Sequence, residues 1–249
     1  MSSTSPLYAF VHIPFSAGTT VRNAILASHG ADEVFDCYGW RRTSTAIADE
    51  IRALSPARRD RVTFLLGHQV WFGIDELFDR EVRYFTFLRN PISRTVSAYW
   101  KIQRDERNFY HDVVRSMTLE QFAHDLPICR NHATVMLSRD AVDDGHNFAT
   151  CADEDQSMLA RARANLDRCW FTGLYETFTE DFAALSTTLG LAPTAPANVR
   201  PAEQNQEHDS ASPAYHAIAR HNIMDFCLYS AVQIKREREA ARLMRAHSA

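Results

Sequence analysis

The segment at residues 14–20 has the small polar residues of an anion-binding loop. It joins an apolar run to an amphipathic segment, and after Phe15 it consists of Ser16, Ala17, Gly18, Thr19 and Thr20. A strand, a tight loop and a helix in this order leave backbone N–H groups unpaired at the helix start, where an anion can bind. Thr19 or Thr20 can cap the helix or reach a phosphate oxygen. The Walker A pattern is absent, so the loop taken alone favours an ordinary strand-to-helix turn over a phosphate site.

Arg89 is the second residue whose position suggests chemistry, because it ends a very apolar run at residues 82–88. An arginine there is costly to bury unless an anion or a structural carboxylate meets it. Ser97 follows eight residues later on a predicted helix at residues 92–104, near one face with Arg94 and Lys101. Ser97 could therefore share an anion with Arg89, and a structural salt bridge is the alternative.

His68 follows Gly67 at the end of another apolar run and is a candidate general base. An imidazole titrates near neutral pH, which suits proton transfer; the alternative is a structural histidine. His12 lies within the first predicted strand and is expected to be a hydrogen-bonded structural residue. The histidines show no metal-ligand spacing, so no metal is expected.

The elements around these residues predict an α/β fold with a central parallel sheet flanked by helices. Apolar runs at residues 8–13, 61–66 and 82–88 each deliver a polar residue and then a helix. Ligands of such sheets bind at the carboxyl ends of the strands. That edge would bring the loop, His68 and Arg89 together.

The remaining segments are mostly helical. A helix at residues 43–54 with Ser44 as a plausible cap follows a loop with a possible short strand, and the stretch at residues 55–60 breaks it. Residues 138–155 read as a surface loop and residues 192–213 as a proline-rich flap. In the last helix, Asn222 and Asp225 form a capping-box variant. The other predicted segments are a fourth strand at residues 169–174 and helices at residues 119–125, 131–137, 153–166, 176–189 and 222–245.

Composition excludes several classes of protein. The formal charge of −4 and the pI near 6.2 argue against broad nucleic-acid binding. Five cysteines without CxxC spacing argue against a disulfide framework and fit a reducing compartment. No segment reaches 18 apolar residues and no targeting segment is evident, so a cytoplasmic protein without a membrane span is expected. Lys101 and Lys235 are the only lysines, so a catalytic lysine must be one of these two.

The three motifs, in this order, resemble the carbohydrate-type sulfotransferases, which include heparan sulfate 2-O-sulfotransferase and small bacterial relatives. FVHIPFSAGTTVRNAI is similar to their 5′-phosphosulfate loop, H-I-P-K-[TS]-[GA]-G-T-[ST]. FTFLRNPISRTVSAYW is similar to their 3′-phosphate motif, and LLGHQVWFG lies where they have a G-H segment with the catalytic base. The later blocks NHATVMLS, WFTGLYETFTEDFAAL and NIMDFCLYSAV are also similar, so the resemblance covers nearly the whole chain.

This resemblance implies a P-loop-like sulfotransferase fold in a single domain at residues 1–249. Residues 1–105 would form the nucleotide-binding core, and residues 106–249 a mostly helical remainder. The donor would be 3′-phosphoadenosine 5′-phosphosulfate (PAPS), with no metal, and the acceptor a small molecule or a saccharide. The implied roles are phosphosulfate binding by Ser16, Ala17, Gly18, Thr19 and Thr20, 3′-phosphate binding by Arg89 and Ser97, a late nucleotide contact by Arg200, and proton removal from the acceptor by His68.

Phe15 departs from the family, which has a lysine at this position to neutralise charge on the leaving bridging oxygen. A phenylalanine carries no charge, and loss of one preorganised donor typically costs about 10²–10³ in rate. Lys101 or Arg22 could supply the charge, the loop amides and the helix dipole could suffice, or the protein could be catalytically weak. We favour compensation, because the surrounding arginine, serine and histidine positions are intact.

Two other functions are weighed against this hypothesis. Phe15 is compatible with a nucleotide-binding protein that transfers nothing. A nucleotide kinase would share the strand–loop–helix order but would need the Walker lysine and a magnesium-binding acidic strand end. The acceptor and the oligomeric state are not indicated, and the aromatic residues that flank the site in sequence are compatible with either a pocket or the core: Trp71, Phe72, Trp100, Phe109 and Tyr110.

Overall fold

Five parallel strands form a single sheet in the computed structural model, which describes residues 5–39, 42–140, 155–192 and 211–247. The strands are β1 (Leu7–Val11), β2 (Val34–Asp36), β3 (Phe64–Gly67), β4 (Val82–Leu88) and β5 (Phe171–Leu174). They lie in the order β2-β3-β1-β4-β5, and each neighbouring pair is parallel. The predicted α/β class is therefore confirmed, and the short second strand and the strand near residue 170 both belong to the sheet.

Helices cover the sheet and form most of the C-terminal half. They are α1 (Gly18–Ser28), α2 (Ser44–Arg52), α3 (Pro56–Arg61), α4 (Pro91–Arg104), α5 (His111–Val114), α6 (Leu119–Asp125), α7 (His132–Leu137), α8 (Gln156–Arg168), α9 (Phe178–Leu189), α10 (Pro213–His221) and α11 (Ile223–His247). Short 3-10 turns lie at Ile74–Leu77, Pro127–Cys129 and Tyr175–Thr177. Within the described residues, no helix is both long enough and apolar enough to cross a bilayer.

The alternation of side chains along the strands builds two separate cores. Leu7, Ala9 and Val11 of β1 are buried in a cluster that includes residues of α2, α7 and α11. Phe10 points to the opposite face, into a cluster with residues of α1 and α9. Because successive strand residues point to opposite faces, β1 is apolar throughout and is buried on both sides. It therefore lies in the middle of the sheet.

Some predicted boundaries move because local caps override the apolar pattern. Thr43, and not Ser44, caps α2, since its Oγ1 accepts from the Ala46 N–H at 3.1 Å. The segment predicted as a break forms α3, with Ser55 as its cap and a proline in its first turn. As a result β3 begins at Phe64 instead of residue 61. The helix predicted at residues 176–189 begins later, as α9 at Phe178, because Tyr175–Thr177 form a separate 3-10 turn.

The N-termini of α7 and α11 cap each other. Both carboxylate oxygens of Asp225 accept bonds from the first turn of α7, at 3.0 Å from the Ala133 N–H and 2.8 Å from the Thr134 N–H. In return, Asn131 Oδ1 accepts from the N–H groups of Met224 (3.0 Å) and Asp225 (3.3 Å). The predicted capping box between Asn222 and Asp225 is therefore wrong, because Asp225 caps the neighbouring helix and not its own.

Arg94 completes this buried polar cluster. Its side chain is 1 % exposed, and its Nε lies 3.9 Å from Asp225 Oδ2. Its Nη2 lies 3.4 Å from the Cys129 carbonyl oxygen and 3.5 Å from Asn222 Oδ1. Burial lowers the pKa of the Arg94 guanidinium, and Asp225 opposes that shift. Arg94 is thus a core residue.

Asp225→Ala is expected to destabilise the fold by about 3–5 kcal/mol, because it uncaps α7 and leaves the Arg94 charge buried without its carboxylate. Urea unfolding measures this loss. Asp155→Ala is the matched control, since Asp155 also caps a helix, α8, but at an exposed end. Equal losses in the two variants would contradict a buried, charge-coupled role for Asp225.

Candidate active site

The carboxyl edge of the sheet collects the chemically interesting residues. Each strand ends immediately before one of them or within two residues, and in spatial order from β2 to β5 they are Tyr38, His68, His12, Arg89 and Tyr175. The register aligns Val11 of β1 with Gly67 of β3, so His12 and His68 leave the sheet side by side. The predicted convergence of the loop, His68 and Arg89 at one edge follows from this strand order.

The loop at residues 14–20 has an unusual backbone. Phe15 and Ala17 both have positive φ, at 67° and 64°, although neither is glycine. Each such residue costs on the order of 1 kcal/mol. Alternating left-handed and ordinary residues turn successive N–H groups toward one point, which is a geometry that binds anions. The loop therefore retains a strained conformation of the kind found at functional sites.

The N-cap residue of α1 leaves the helix start without a side-chain cap of its own. This residue is Ala17, which makes no side-chain cap hydrogen bond, so the prediction of a threonine N-cap is wrong. Beside this helix start, the Ser16 side chain is 1 % exposed and its Oγ has no hydrogen-bond partner among the described residues. A buried hydroxyl without a partner is destabilising unless a ligand or water satisfies it. These features fit an anion bound at the first turn of α1.

Gly18 lets the loop pack directly against His12. A Cβ at residue 18 would lie 1.8 Å from His12 Nε2, which is well inside van der Waals contact. Any larger residue would displace either the imidazole or the loop. Glycine is needed at residue 18 because of this close approach, and not because of an unusual backbone φ angle.

Arg89 links the loop to β4 and β5. Its side chain is 8 % exposed, and its Nη1 donates to the Phe15 carbonyl oxygen at 2.9 Å. The guanidinium lies 3.8 Å from the centre of the Tyr175 ring, a close cation–π contact. These two contacts hold a positive charge beside the strained loop.

His68 is held in a single tautomer. Its Nδ1 lies 2.8 Å from the His12 carbonyl oxygen, and because a carbonyl only accepts, Nδ1 must carry the proton. The neutral ring therefore has its lone pair on Nε2. Burial lowers the pKa of His68, the Arg139 charge lowers it further, and the hydrogen bond to His12 opposes the shift. A neutral imidazole whose Nε2 is unprotonated at neutral pH can accept a proton from a substrate.

His12 and Tyr38 support this ring. The centre of the His12 ring lies 4.4 Å from that of His68, and Tyr38 packs edge-on against His68 at 4.9 Å. His12 Nδ1 is hydrogen-bonded to the Tyr38 hydroxyl at 2.7 Å, in agreement with the predicted structural role of His12. Burial lowers the pKa of His12 well below its ordinary value. Sequence reasoning missed Tyr38, since β2 is only three residues long and gives almost no pattern.

The other predicted site residues have varied surroundings. Arg22, on α1, pairs with Asp36 at 3.3 Å and lies over the Tyr38 ring, which places its charge on the β2 side of the site. Ser97 is half-buried on α4. Lys101, in the last turn of α4, is half exposed and forms an ion pair with Asp105 at 3.1 Å. Arg200 lies outside the described residues, as does most of the predicted flap.

The partner of Lys101 bears on the charge missing at Phe15. The Lys101 ammonium already pairs with Asp105 at the end of α4. This position does not support Lys101 as the replacement for the family's loop lysine. The Phe15 side chain is half-buried and packs against an apolar cluster of α4, α5, α6 and their connections. The members of that cluster are Ala98, Tyr99, Ile102, Val114, Phe122 and Cys129.

The aromatic residues near the site divide into core and surface. Trp71 and Phe72 are 2 % and 0 % exposed and belong to the main core. Trp100 and Tyr110 are partly buried against the same cluster as Phe15. Phe109 is 68 % exposed. The pocket interpretation therefore fails for Trp71 and Phe72.

A parallel α/β sheet with a small-residue loop after its central strand, and an arginine and a histidine after the neighbouring strands, belongs to the class of α/β proteins that bind ligands at the carboxyl ends of their strands. Residues 6–229 match the Sulfotransferase family, so the chain belongs to that family. A search of curated proteins finds no match. A solved sulfotransferase from Alicyclobacillus acidocaldarius is similar at 14% identity and a TM-score of 0.40, over 90% of this chain and 96% of that one. A similarity this low says nothing about the site.

Proposed function

We propose that this protein transfers a sulfuryl group from PAPS to a hydroxyl of a small molecule or a saccharide. The observation that carries the proposal is the buried Ser16 hydroxyl, which has no hydrogen-bond partner in the described part of the chain and lies beside the start of α1. Arg89 reaches the same loop from the next strand. An anionic ligand would satisfy the Ser16 hydroxyl and the helix amides together, and membership of the sulfotransferase family indicates which anion to test first.

The proposed roles are those that the resemblance implies, and the positions described above support them. Residues 16–20 bind the 5′-phosphosulfate with backbone amides and hydroxyls, assisted by the positive end of α1. Arg89 and Ser97 bind the 3′-phosphate, and Arg22 adds positive charge from the β2 side. His68 Nε2 takes the acceptor proton as the acceptor oxygen attacks sulfur. The bond from sulfur to the phosphate oxygen then breaks, and adenosine 3′,5′-bisphosphate leaves.

Because the Phe15 side chain carries no charge, other groups must stabilise the leaving oxygen. The ion pair of Lys101 with Asp105 favours a different source. We propose that the loop amides and the α1 dipole supply this stabilisation. The second candidate function, nucleotide binding without transfer, is favoured by the same residue. Its side chain packs in an apolar cluster and carries no charge.

Phe15→Lys separates these two functions. We expect wild-type protein to transfer labelled sulfate from PAPS to at least one member of a panel of phenols, alcohols and saccharides. Phe15→Lys should change turnover by less than about tenfold if the loop compensates, and should raise it by about 10²–10³-fold if wild type lacks a needed donor. Phe15→Leu is the control, because it alters the packing and adds no charge. Tight binding of adenosine 3′,5′-bisphosphate without transfer by wild type would favour the second candidate.

A further inference from the structure

Arg139 lies just after α7 and binds the segment that carries His68. Its Nη1 donates to the His68 carbonyl oxygen at 2.8 Å. Its Nη2 donates to the side-chain oxygen of Gln69 and to Ser44 Oγ, the latter at 3.0 Å. The Arg139 carbonyl oxygen in turn accepts from the Phe72 N–H at 2.8 Å. One arginine thus fixes both ends of residues 68–72 and joins them to the start of α2.

These contacts differ from those of a surface arginine. Ser44 is 0 % exposed and Gln69 is 6 % exposed, so the guanidinium reaches into buried polar groups. Hydrogen bonds from a charged donor are short and strong, and the planar guanidinium serves several acceptors in one fixed geometry. The sequence gives no signal for this role, because Arg139 falls in a polar stretch that predicts a surface loop.

The contacts of Arg139 complement the bond from His68 to His12. The His12 carbonyl fixes the imidazole through Nδ1, and Arg139 fixes the main chain of the same residue. Without the second restraint, the segment that carries the ring could shift while the Nδ1 bond remained. Orientation of Nε2 toward a substrate requires both, because the base must lie within hydrogen-bond distance of the proton that it abstracts.

Since the guanidinium stays protonated throughout the accessible pH range, its charge also opposes protonation of the nearby ring. The charged and titratable groups that face His68 are His12, Tyr38, Asp36, His132 and Arg139. Of these, Asp36 opposes the effect of Arg139, since its carboxylate raises the pKa of His68. Arg139 is therefore a fixed positive charge beside a ring that must stay neutral to accept a proton.

We propose that Arg139 is a positioning residue for His68, which clamps the strand-end segment so that Nε2 faces the acceptor and favours the neutral imidazole. This inference rests on the proposed function for its effect on turnover. Its effect on the free protein does not depend on that function. The two parts can therefore be tested separately.

The test compares Arg139→Met, Arg139→Lys and the control Arg59→Met. Arg59, on α3, is half-buried and also donates to main-chain carbonyls, those of Ile51 and Arg52, but at the C-terminal end of α2. The pKa of His68 is measured by NMR titration of the free protein, with the signal assigned by its loss in His68→Ala. Thermal unfolding of each variant reports its folded state.

In Arg139→Met we expect the pKa of His68 to rise, because a nearby positive charge is lost. Turnover should fall by roughly tenfold or more, with the KM for PAPS unchanged. Arg139→Lys keeps the charge but loses the planar geometry, so the pKa of His68 should stay near the wild-type value while turnover falls. Arg59→Met should change neither quantity.

Three results would overturn the proposal: an unchanged pKa of His68 in Arg139→Met, an equal shift in Arg59→Met, or wild-type turnover in Arg139→Lys. If Arg139→Met does not fold, the turnover and KM of Arg139→Lys decide whether Arg139 positions His68. If no acceptor is found for wild type, the proposed function fails, and the NMR titration still tests the clamp.

Discussion

Replacing His68 with alanine is expected to lower turnover by about 10²–10⁴-fold and to leave the affinity for adenosine 3′,5′-bisphosphate unchanged. The physical reason is that Nδ1 is occupied by its bond to the His12 carbonyl, so Nε2 is the atom that can accept the acceptor proton. Steady-state transfer from labelled PAPS measures the turnover, and titration calorimetry measures the affinity. Near-normal turnover in His68→Ala would exclude it as the base.

The pH profile adds a second test of His68. A protonated imidazole cannot act as a base, so activity should fall as the pH drops through the pKa of His68. Because burial lowers that pKa, the wild-type profile of kcat/KM should remain flat from neutral pH to below about 6.5. The acid limb should be absent from the residual activity of His68→Ala. A limb that persisted there would belong to His12 or His132, whose pKa values are lowered well below the ordinary range by burial.

A matched histidine separates the chemistry from a general effect of losing an imidazole. His216 is exposed on α10, on an element that contributes no residue to the sheet edge. His216→Ala should retain both the wild-type turnover and the wild-type pH profile. Loss of activity in both variants would indicate a nonspecific effect.

Arg89→Ala is expected to weaken binding of adenosine 3′,5′-bisphosphate by at least about 2 kcal/mol, or roughly 30-fold in Kd. That is the size of a lost hydrogen bond to a charged group. The guanidinium is largely buried and stacked on Tyr175, so little of its interaction with a phosphate would be screened by water. Titration calorimetry at constant ionic strength measures the change.

Because Arg89 also bonds the Phe15 carbonyl, its loss could act through the loop instead of through a phosphate. Adenosine 5′-monophosphate distinguishes the two effects, since it lacks the 3′-phosphate. If Arg89 binds the 3′-phosphate, wild type and Arg89→Ala should bind the monophosphate nearly equally. Equal weakening for both nucleotides would assign Arg89 to loop support alone. Arg83→Ala, on the same strand but in an ion pair with Glu81, should leave both affinities unchanged.

Much of the sheet edge follows from local sequence. The run at residues 82–88 matches β4 at both ends, and the helix predicted at residues 119–125 matches α6. Both have strong local signals: an apolar β-branched and aromatic run in one case, and a capping box with Thr118 and Gln121 in the other. Once three strands of a parallel sheet are recognised, the positions of His68 and Arg89 at its carboxyl edge follow from topology.

Contacts between distant segments were not predictable in the same way. Asp225 has the spacing of a cap for its own helix, yet it caps α7, more than 90 residues earlier in the chain. A carboxylate can satisfy any helix N-terminus that the fold brings near, and sequence spacing reports only its own helix. Arg139 and Tyr38 also act on His68 from elements that lie far from it in the chain, and neither the polar stretch around Arg139 nor the three-residue β2 indicates such a contact.

For the site itself, residue types and order along the chain determined the small-residue loop at a helix start, the strand-end arginine and histidine, and the likeness to sulfotransferases. The tertiary structure alone decided how these groups are held: the left-handed Phe15 and Ala17, the burial of a Ser16 hydroxyl that no described residue satisfies, and the His12 carbonyl that sets the tautomer of His68. The physical reason is that apolar periodicity and turn residues act locally, whereas burial, protonation and the partner of each hydrogen bond depend on which strands become neighbours.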